Sequence, residues 1–211
     1  SEILHQKVMH GRGYGDFAIL YRGNHQARAF EKELRLHNVP YFLSGGTSFF
    51  SRTEIKDLMA YLRLLANPHD DTAFLRVVNT PRRGIGPGTL EKLGAWAAER
   101  PAPLLEAVEE LGLEQRLSGR ALKNLREFAA WVWQLSRLAH EEKPADALRQ
   151  LIRDIDYEEW LLQTSPSDRA AERRMENVQD LVAWIERLQE DELEGDDLAA
   201  LVNHLSLMGL L

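Results

Sequence analysis

No cysteine occurs among the 211 residues, which excludes disulfides, thiolate zinc sites and a cysteine nucleophile together and fits a reducing, cytoplasmic compartment. No run approaches the roughly 18 to 20 consecutive apolar residues that cross a bilayer, and the first residues carry no signal-like apolar stretch. No membrane partner is therefore expected. The sequence also has no G-x-x-x-x-G-K-[ST], no lysine that follows a glycine, and no apolar strand running into an Asp-Glu pair, so it holds no cradle for nucleotide phosphates or their metal. The histidines, His5, His10, His25, His37, His69, His140 and His204, never fall as the i, i+4 pair of a helical metal site. Glu109-Glu110, Glu141-Glu142 and Glu158-Glu159 are adjacent pairs, and neighbours on a helix point in different directions. Neither a catalytic centre nor a metal site is expected.

What is present is an ordinary globular composition, 44% hydrophobic and 28% charged, in a chain long enough to bury a core. The net charge of −7 argues against a polyanionic partner, but local patches set the field that a ligand meets. Much of the acid lies in one run, Asp191, Glu192, Glu194, Asp196 and Asp197, which reads as a solvated loop between helices.

Residues 1 to 15 end in HGRGYG and read as an irregular lead-in. Phe17 to Tyr21 and Val39 to Leu43 are short apolar runs expected as strands. Between them Asn24 is a candidate cap for a helix with Ala27, Phe30 and Leu34 on one face. This β-α-β unit is too small to cover both faces of a sheet and implies a larger α/β domain. After Gly45-Gly46 the pattern is helical throughout. Ile55, Leu58, Met59, Leu62 and Leu65 make an amphipathic stripe over Glu54 to Ala66, stopped by Asn67-Pro68. Asp70 or Asp71 opens a helix through Phe74 and Val78. Further helices are expected over Thr89 to Glu99, Leu104 to Leu111, Leu117 to His140, Ala145 to Ile155, Tyr157 to Gln163, Ser167 to Gln189 and Leu198 to Leu207. Trp131, Trp133, Trp160 and Trp184 fall within their apolar patterns and read as core. The fold class expected is mainly α, a domain of eight or nine helices with a small α/β appendage.

The segment most informative about function is NTPRRGIGPGTLEKL, Asn79 to Leu93. It has the form of a helix-hairpin-helix turn, in which Gly84 and Gly86 let the backbone approach a ligand and the following helix adds unpaired N–H groups and a positive dipole end. Ile85 would plug the bend into the core, and Thr89 would cap the helix or donate a hydroxyl. Arg76, Arg82, Arg83 and Lys92 face the single acid Glu91 in this window, which is basic within an acidic protein. Such a turn positions a sugar-phosphate backbone and reads no base sequence. A plain Pro/Gly turn with incidental arginines is the alternative. SGR, Ser118 to Arg120, starts a long helix and is a second candidate phosphate seat through the same dipole argument. Arg169, Arg173 and Arg174 form either another basic face or a solvated one.

ILYRGNHQAR (Ile19 to Arg28), PYFLSGGTSFFSRTEIKDLMAYLRLLANPHDD (Pro40 to Asp71), FLRVVNTPRRGIGPGTLEKL (Phe74 to Leu93), DIDYEEWLLQTSP and AAERRMENVQDLVAWI together resemble consecutive segments of Rep/UvrD-type superfamily 1 DNA helicases. The resemblance implies that residues 1–46 are part of motor domain 2A and residues 47–211 most of the helical accessory domain 2B. It implies a parent protein that is an ATP- and Mg²⁺-dependent translocase moving 3′ to 5′, while this segment, lacking the nucleotide site, is inactive alone. It further implies that Tyr21, Arg22, Asn24 and Arg28 lie on the single-strand track. Thr80, Arg82, Arg83, Gly84, Ile85, Gly86, Thr89 and Lys92 would meet duplex DNA, and Gly45, Gly46, Thr47 and Ser48 would form the swivel between the parts. The partners implied are duplex DNA and its junction with a single strand, with replication or repair proteins or a second copy as further candidates. Two other readings compete. A protein-binding helical module would make no DNA contact, and a helix-hairpin-helix glycosylase would need a catalytic Asp beyond the hairpin, whereas Ala95 to Leu111 contains none.

Overall fold

The computed structural model describes residues 2–43, 48–117, 119–141, 143–190 and 197–210. Among these the chain is helical: α1 (Glu2–His10), α2 (Asn24–Leu36), α3 (Thr53–Ala66), α4 (Asp71–Val77), α5 (Pro87–Glu99), α6 (Leu104–Glu109), α7 (Gly119–Glu141), α8 (Pro144–Asp154), α9 (Tyr157–Thr164), α10 (Asp168–Glu190) and α11 (Leu198–Leu210). Short 3-10 turns occur at Tyr14–Asp16, Phe49–Ser51 and Leu111–Gln115. The mainly α class and the helix positions after residue 52 agree with the periodicity of the sequence.

The N-terminal part differs from expectation in three places. Residues expected as an irregular lead-in form α1. Phe17 to Tyr21 and Val39 to Leu43 form no strand among the described residues. An apolar run becomes a strand only when a neighbour takes its N–H and C=O groups, and these two segments, on either side of α2, do not pair with each other. Asn24 is the first residue of α2 and not its cap. The cap position is Gly23, and the Gln26 side chain accepts the amides of Arg22 (3.1 Å) and Gly23 (3.3 Å). The acidic run at 191–196 and the proposed swivel at Gly45, Gly46 and Thr47 lie outside the described residues.

The centre of the fold is α3, packed by α4, α7, α10 and α11. Its sequence stripe fills one side, and Tyr61 and Leu64, off that stripe, are equally buried. Enclosure on nearly every face is why even Glu54 and Asp57 are buried, at 4% and 5% exposure. Buried charges persist only when paired. Asp57 accepts from Arg76 at 2.7 Å and from the Tyr157 hydroxyl at 3.2 Å, and Glu54 accepts from Asn177 at 2.7 Å and Arg174 at 3.2 Å. Burial pushes the Asp57 carboxyl above its ordinary value, against the opposing pull of Arg76. The folded state therefore holds that proton more tightly than the unfolded chain, and this contribution to stability is present in acid and fades as pH rises through the raised value.

α2 docks on α10 through Arg28 to Glu176 at 2.7 Å and Lys32 to Asp180 at 2.8 Å. Beneath these surface pairs lies Glu31, 2% exposed. It accepts the Phe49 amide at 2.9 Å, the Tyr41 hydroxyl at 3.0 Å and Arg52 at 3.1 Å. Arg52 continues to Asn177 at 2.7 Å, so one polar chain runs from α2 through the start of α3 to α10. Phe49 packs edge-on against Trp184, and the Arg35 guanidinium lies 3.7 Å over its ring.

Between α6 and α7, Gly112 lies against Trp96. A Cβ at this glycine would meet ring atoms of Trp96 at 2.6 and 2.7 Å. The indole cannot yield easily, because Nε1 donates to Glu110 at 2.8 Å and Arg100 covers the ring at 3.4 Å. Gly112→Ala is expected to cost about 1–3 kcal/mol by overpacking, read as a lower midpoint in urea with an unchanged slope.

Candidate nucleic-acid interface

The Asn79 to Leu93 segment folds as a bend between α4 and α5. Gly84 has φ +69, a left-handed conformation that an L side chain adopts at a cost of about 1–2 kcal/mol. Ile85 is 1% exposed and inserts into the same core as Phe74 and Leu93, as a plug should. Gly86 takes the cap position of α5 and Pro87 its first residue, where a missing N–H costs nothing. Thr89, expected as a cap, lies inside the first turn, its amide bonded to the Gly86 carbonyl at 3.0 Å.

The bend is held from within. The Asn79 side chain accepts the amides of Arg83 at 2.7 Å and Ile85 at 3.4 Å. Asn124 of α7 donates to the Arg83 carbonyl at 2.6 Å. Among the described residues the amides of Gly84, Gly86 and Gly88 have no partner within the chain, and a Cβ built at Gly86 or Gly88 would meet nothing within 4 Å. Those of Gly86 and Gly88 are open donors at the start of the 13-residue α5, and that of Gly84 lies just before it.

The four cations of this window separate in space. Arg76 is tied to buried Asp57. Arg83 turns inward: its guanidinium donates to the carbonyls of Val77 (3.0 Å), Pro81 (3.1 Å) and Val78 (3.3 Å) and to the Tyr61 hydroxyl (2.8 Å), and lies 4.8 Å over the Phe128 ring. The Tyr61 hydroxyl in turn donates to the Thr80 carbonyl, and burial pushes its pKa up to about 12, so it stays a donor at neutral pH. Arg82 and Lys92 are exposed and form no ion pair among the described residues. Lys92 stands one helical turn after Gly88, on the same side of α5.

An open groove of about 870 Å³ separates the bend from α7 and α8. Arg82 and Gly84 line one wall and Arg120 and Asn124 the other, with Trp131, Gln150 and Asp154 further along. Arg120 is exposed and among the described residues has no acidic partner; two acids also line the groove, Asp154, which accepts from Trp131 Nε1 at 2.9 Å, and the exposed Glu127, whose pairing is with Lys123 at 3.6 Å. In the sequence Arg120 belongs only to the candidate seat at Ser118 to Arg120, and the packing of α7 is what brings it to the same groove as Arg82. Asn79 and Asn124 were not foreseen. An Asn at the start of a turn is a local signal for the first, but Asn124 acts 41 residues from its partner and has none.

At the other candidate site, Tyr21 stacks on Phe30 with ring centres 6.1 Å apart. Arg22 is exposed just before α2, and Arg28 is engaged with Glu176 and Asp180. The Asn24 side chain and the swivel residues other than Ser48 lie outside the described residues. Ser48 donates to Ser51 at 3.1 Å. Arg169 and Arg173 are exposed, while Arg174 is drawn in to Glu54.

Residues 1–102 match the UvrD-like helicase C-terminal domain. Over 198 residues the chain is 53% identical to the ATP-dependent DNA helicase Rep of Salmonella typhimurium and to that of Escherichia coli K12, covering 94% of this chain and 29% of each relative. DNA helicase II of Escherichia coli K12 is 37% identical over 202 residues, covering 93% of this chain and 27% of that protein.

Proposed function

The chain belongs to the Rep/UvrD-type helicases, and on that premise we propose that its helical part grips the backbone of duplex DNA beside the unwinding junction. The chain spans 29% of the length of its Rep relatives. Strand separation driven by ATP and Mg²⁺ belongs in this reading to the whole protein, since these 211 residues hold no phosphate-binding lysine loop.

The observation that carries the reading is the convergence on one groove of Gly84 of the glycine bend and the cations Arg82 and Arg120, which have no acidic partner among the described residues. Open amides at a helix start accept a phosphate without regard to base, and guanidiniums on both walls neutralise the next phosphates along a rail. Lys92 extends the positive edge. Arg22 with Tyr21, at the start of α2, is the proposed single-strand contact, and the boundary near residues 46 and 47 is the proposed division between motor and accessory domains.

A salt titration of blunt-duplex binding by the chain tests this. Log K should fall linearly with log salt, and Arg82→Ala should reduce the slope by about 0.9, the loss of one neutralised phosphate. Absence of duplex binding at low salt would refute the proposal and favour a module that binds only protein.

A further inference from the structure

We infer that Arg83 positions the phosphate-binding bend and does not itself contact DNA. The inference rests on the reading that the bend meets a phosphate backbone, and it separates two adjacent arginines that the sequence presents as equivalents. Both line the groove, but Arg82 is exposed and among the described residues its side chain has no partner. Arg83 has its donors directed at protein carbonyls, its ring face on Phe128 and its own backbone N–H and C=O bonded to Asn79 and Asn124.

The physical need is specific. α4 is seven residues long and ends against the bend, where the Val77 carbonyl accepts the Thr80 amide at 3.0 Å and the Val78 carbonyl has no backbone donor among the described residues. They carry the negative end of the helix dipole and lie next to the Pro81 carbonyl. A planar guanidinium reaches all three from one side chain, while its second nitrogen bonds the Tyr61 hydroxyl that secures Thr80. All three carbonyls accept from Nη1, so an ammonium could take its place among them, but a single nitrogen on a flexible stem cannot bond the Tyr61 hydroxyl as well. With Ile85 as plug and Asn79 holding two amides, the clip leaves the remaining amides, those of Gly84, Gly86 and Gly88, without an acceptor among the described residues. Arg83 thus acts on a ligand through the backbone it fixes.

The test compares wild type, Arg82→Ala, Arg83→Ala and Arg83→Lys in the 211-residue chain, with two readouts. The first is amide hydrogen exchange at Arg83 and Ile85, whose N–H groups are bonded to Asn79. The second is the dependence of blunt-duplex affinity on salt. Arg83→Ala and Arg83→Lys are both expected to speed exchange at Ile85 at least roughly tenfold. Both should also weaken duplex binding by about tenfold at every salt concentration, with little change in slope. Arg82→Ala should leave exchange untouched and lower the slope by about 0.9. A slope reduced by Arg83→Ala and restored by Arg83→Lys, with exchange unchanged, would show a phosphate contact and overturn the inference. If wild type binds no duplex, the proposed function fails while the exchange comparison still decides the role of Arg83. Should Arg83→Ala not fold, Arg83→Lys, which keeps charge and stem, decides alone.

Discussion

Reversing the two cations that face each other across the groove, as Arg82→Glu with Arg120→Glu, should weaken duplex binding by about 100-fold or more at moderate salt. Each cation offers a charge-assisted hydrogen bond to phosphate, worth about 1.5–3 kcal/mol, so losing two removes at least about 3 kcal/mol before repulsion is counted. Neither side chain has a partner among the described residues, and thermal stability should barely change. That combination separates an interface from a structural role. Arg76→Glu is the contrasting variant, because Arg76 is the partner of buried Asp57 at 2.7 Å. It should lower stability first and binding only as a consequence. Fluorescence anisotropy with a labelled duplex, beside a thermal melt of each variant, reads both. A double reversal that bound duplex as wild type does would remove the groove from the interface.

Glu31→Ala is expected to cost about 3–5 kcal/mol, the range for deleting one member of a buried, hydrogen-bonded charge set. Three groups lose their acceptor together: the Phe49 amide, the Tyr41 hydroxyl and the Arg52 guanidinium. Arg52 is itself mostly covered, and burial already lowers its pKa despite Glu31, so without the carboxylate it is a buried cation with only Asn177 as neutral partner. For a chain of this size about 1 kcal/mol moves the midpoint by roughly 2–4 °C, and a fall on the order of 10 °C is expected. Hydrogen exchange should locate the damage in α2 and the start of α3, leaving the bend protected. A loss below about 1 kcal/mol would mean that water replaces the carboxylate and that the polar chain from α2 to α10 contributes little.

The helices after residue 52 were legible because each buries a face against neighbours in this chain, and the period of 3.6 records that face directly. α3 shows the limit of the signal. Its stripe at Ile55, Leu58, Met59, Leu62 and Leu65 reads as one buried side, yet Tyr61, Glu54 and Asp57 are buried too, because four helices surround it. No pattern in the stretch itself announces buried carboxylates, since Arg76 is 19 residues away and the other partners, Arg174, Asn177 and Tyr157, are 100 or more. The misread strands have the opposite cause. An apolar run of five residues has no period to distinguish a strand from an extended segment, and pairing is a property of two segments.

The sequence by itself determined the helical class, the glycine bend with its buried Ile85, and the likeness to the Rep/UvrD-type helicases, because each is written in residues close together along the chain. The tertiary structure alone decided which cations are available. Arg76, Arg82, Arg83 and Lys92 look alike in the linear window, but a buried carboxylate claims the first and the carbonyls ending α4 claim the third. Arg120 enters from α7 to face Arg82. A charge acts on a ligand only if no partner in the fold has already satisfied it, and that depends on contacts between residues far apart in sequence.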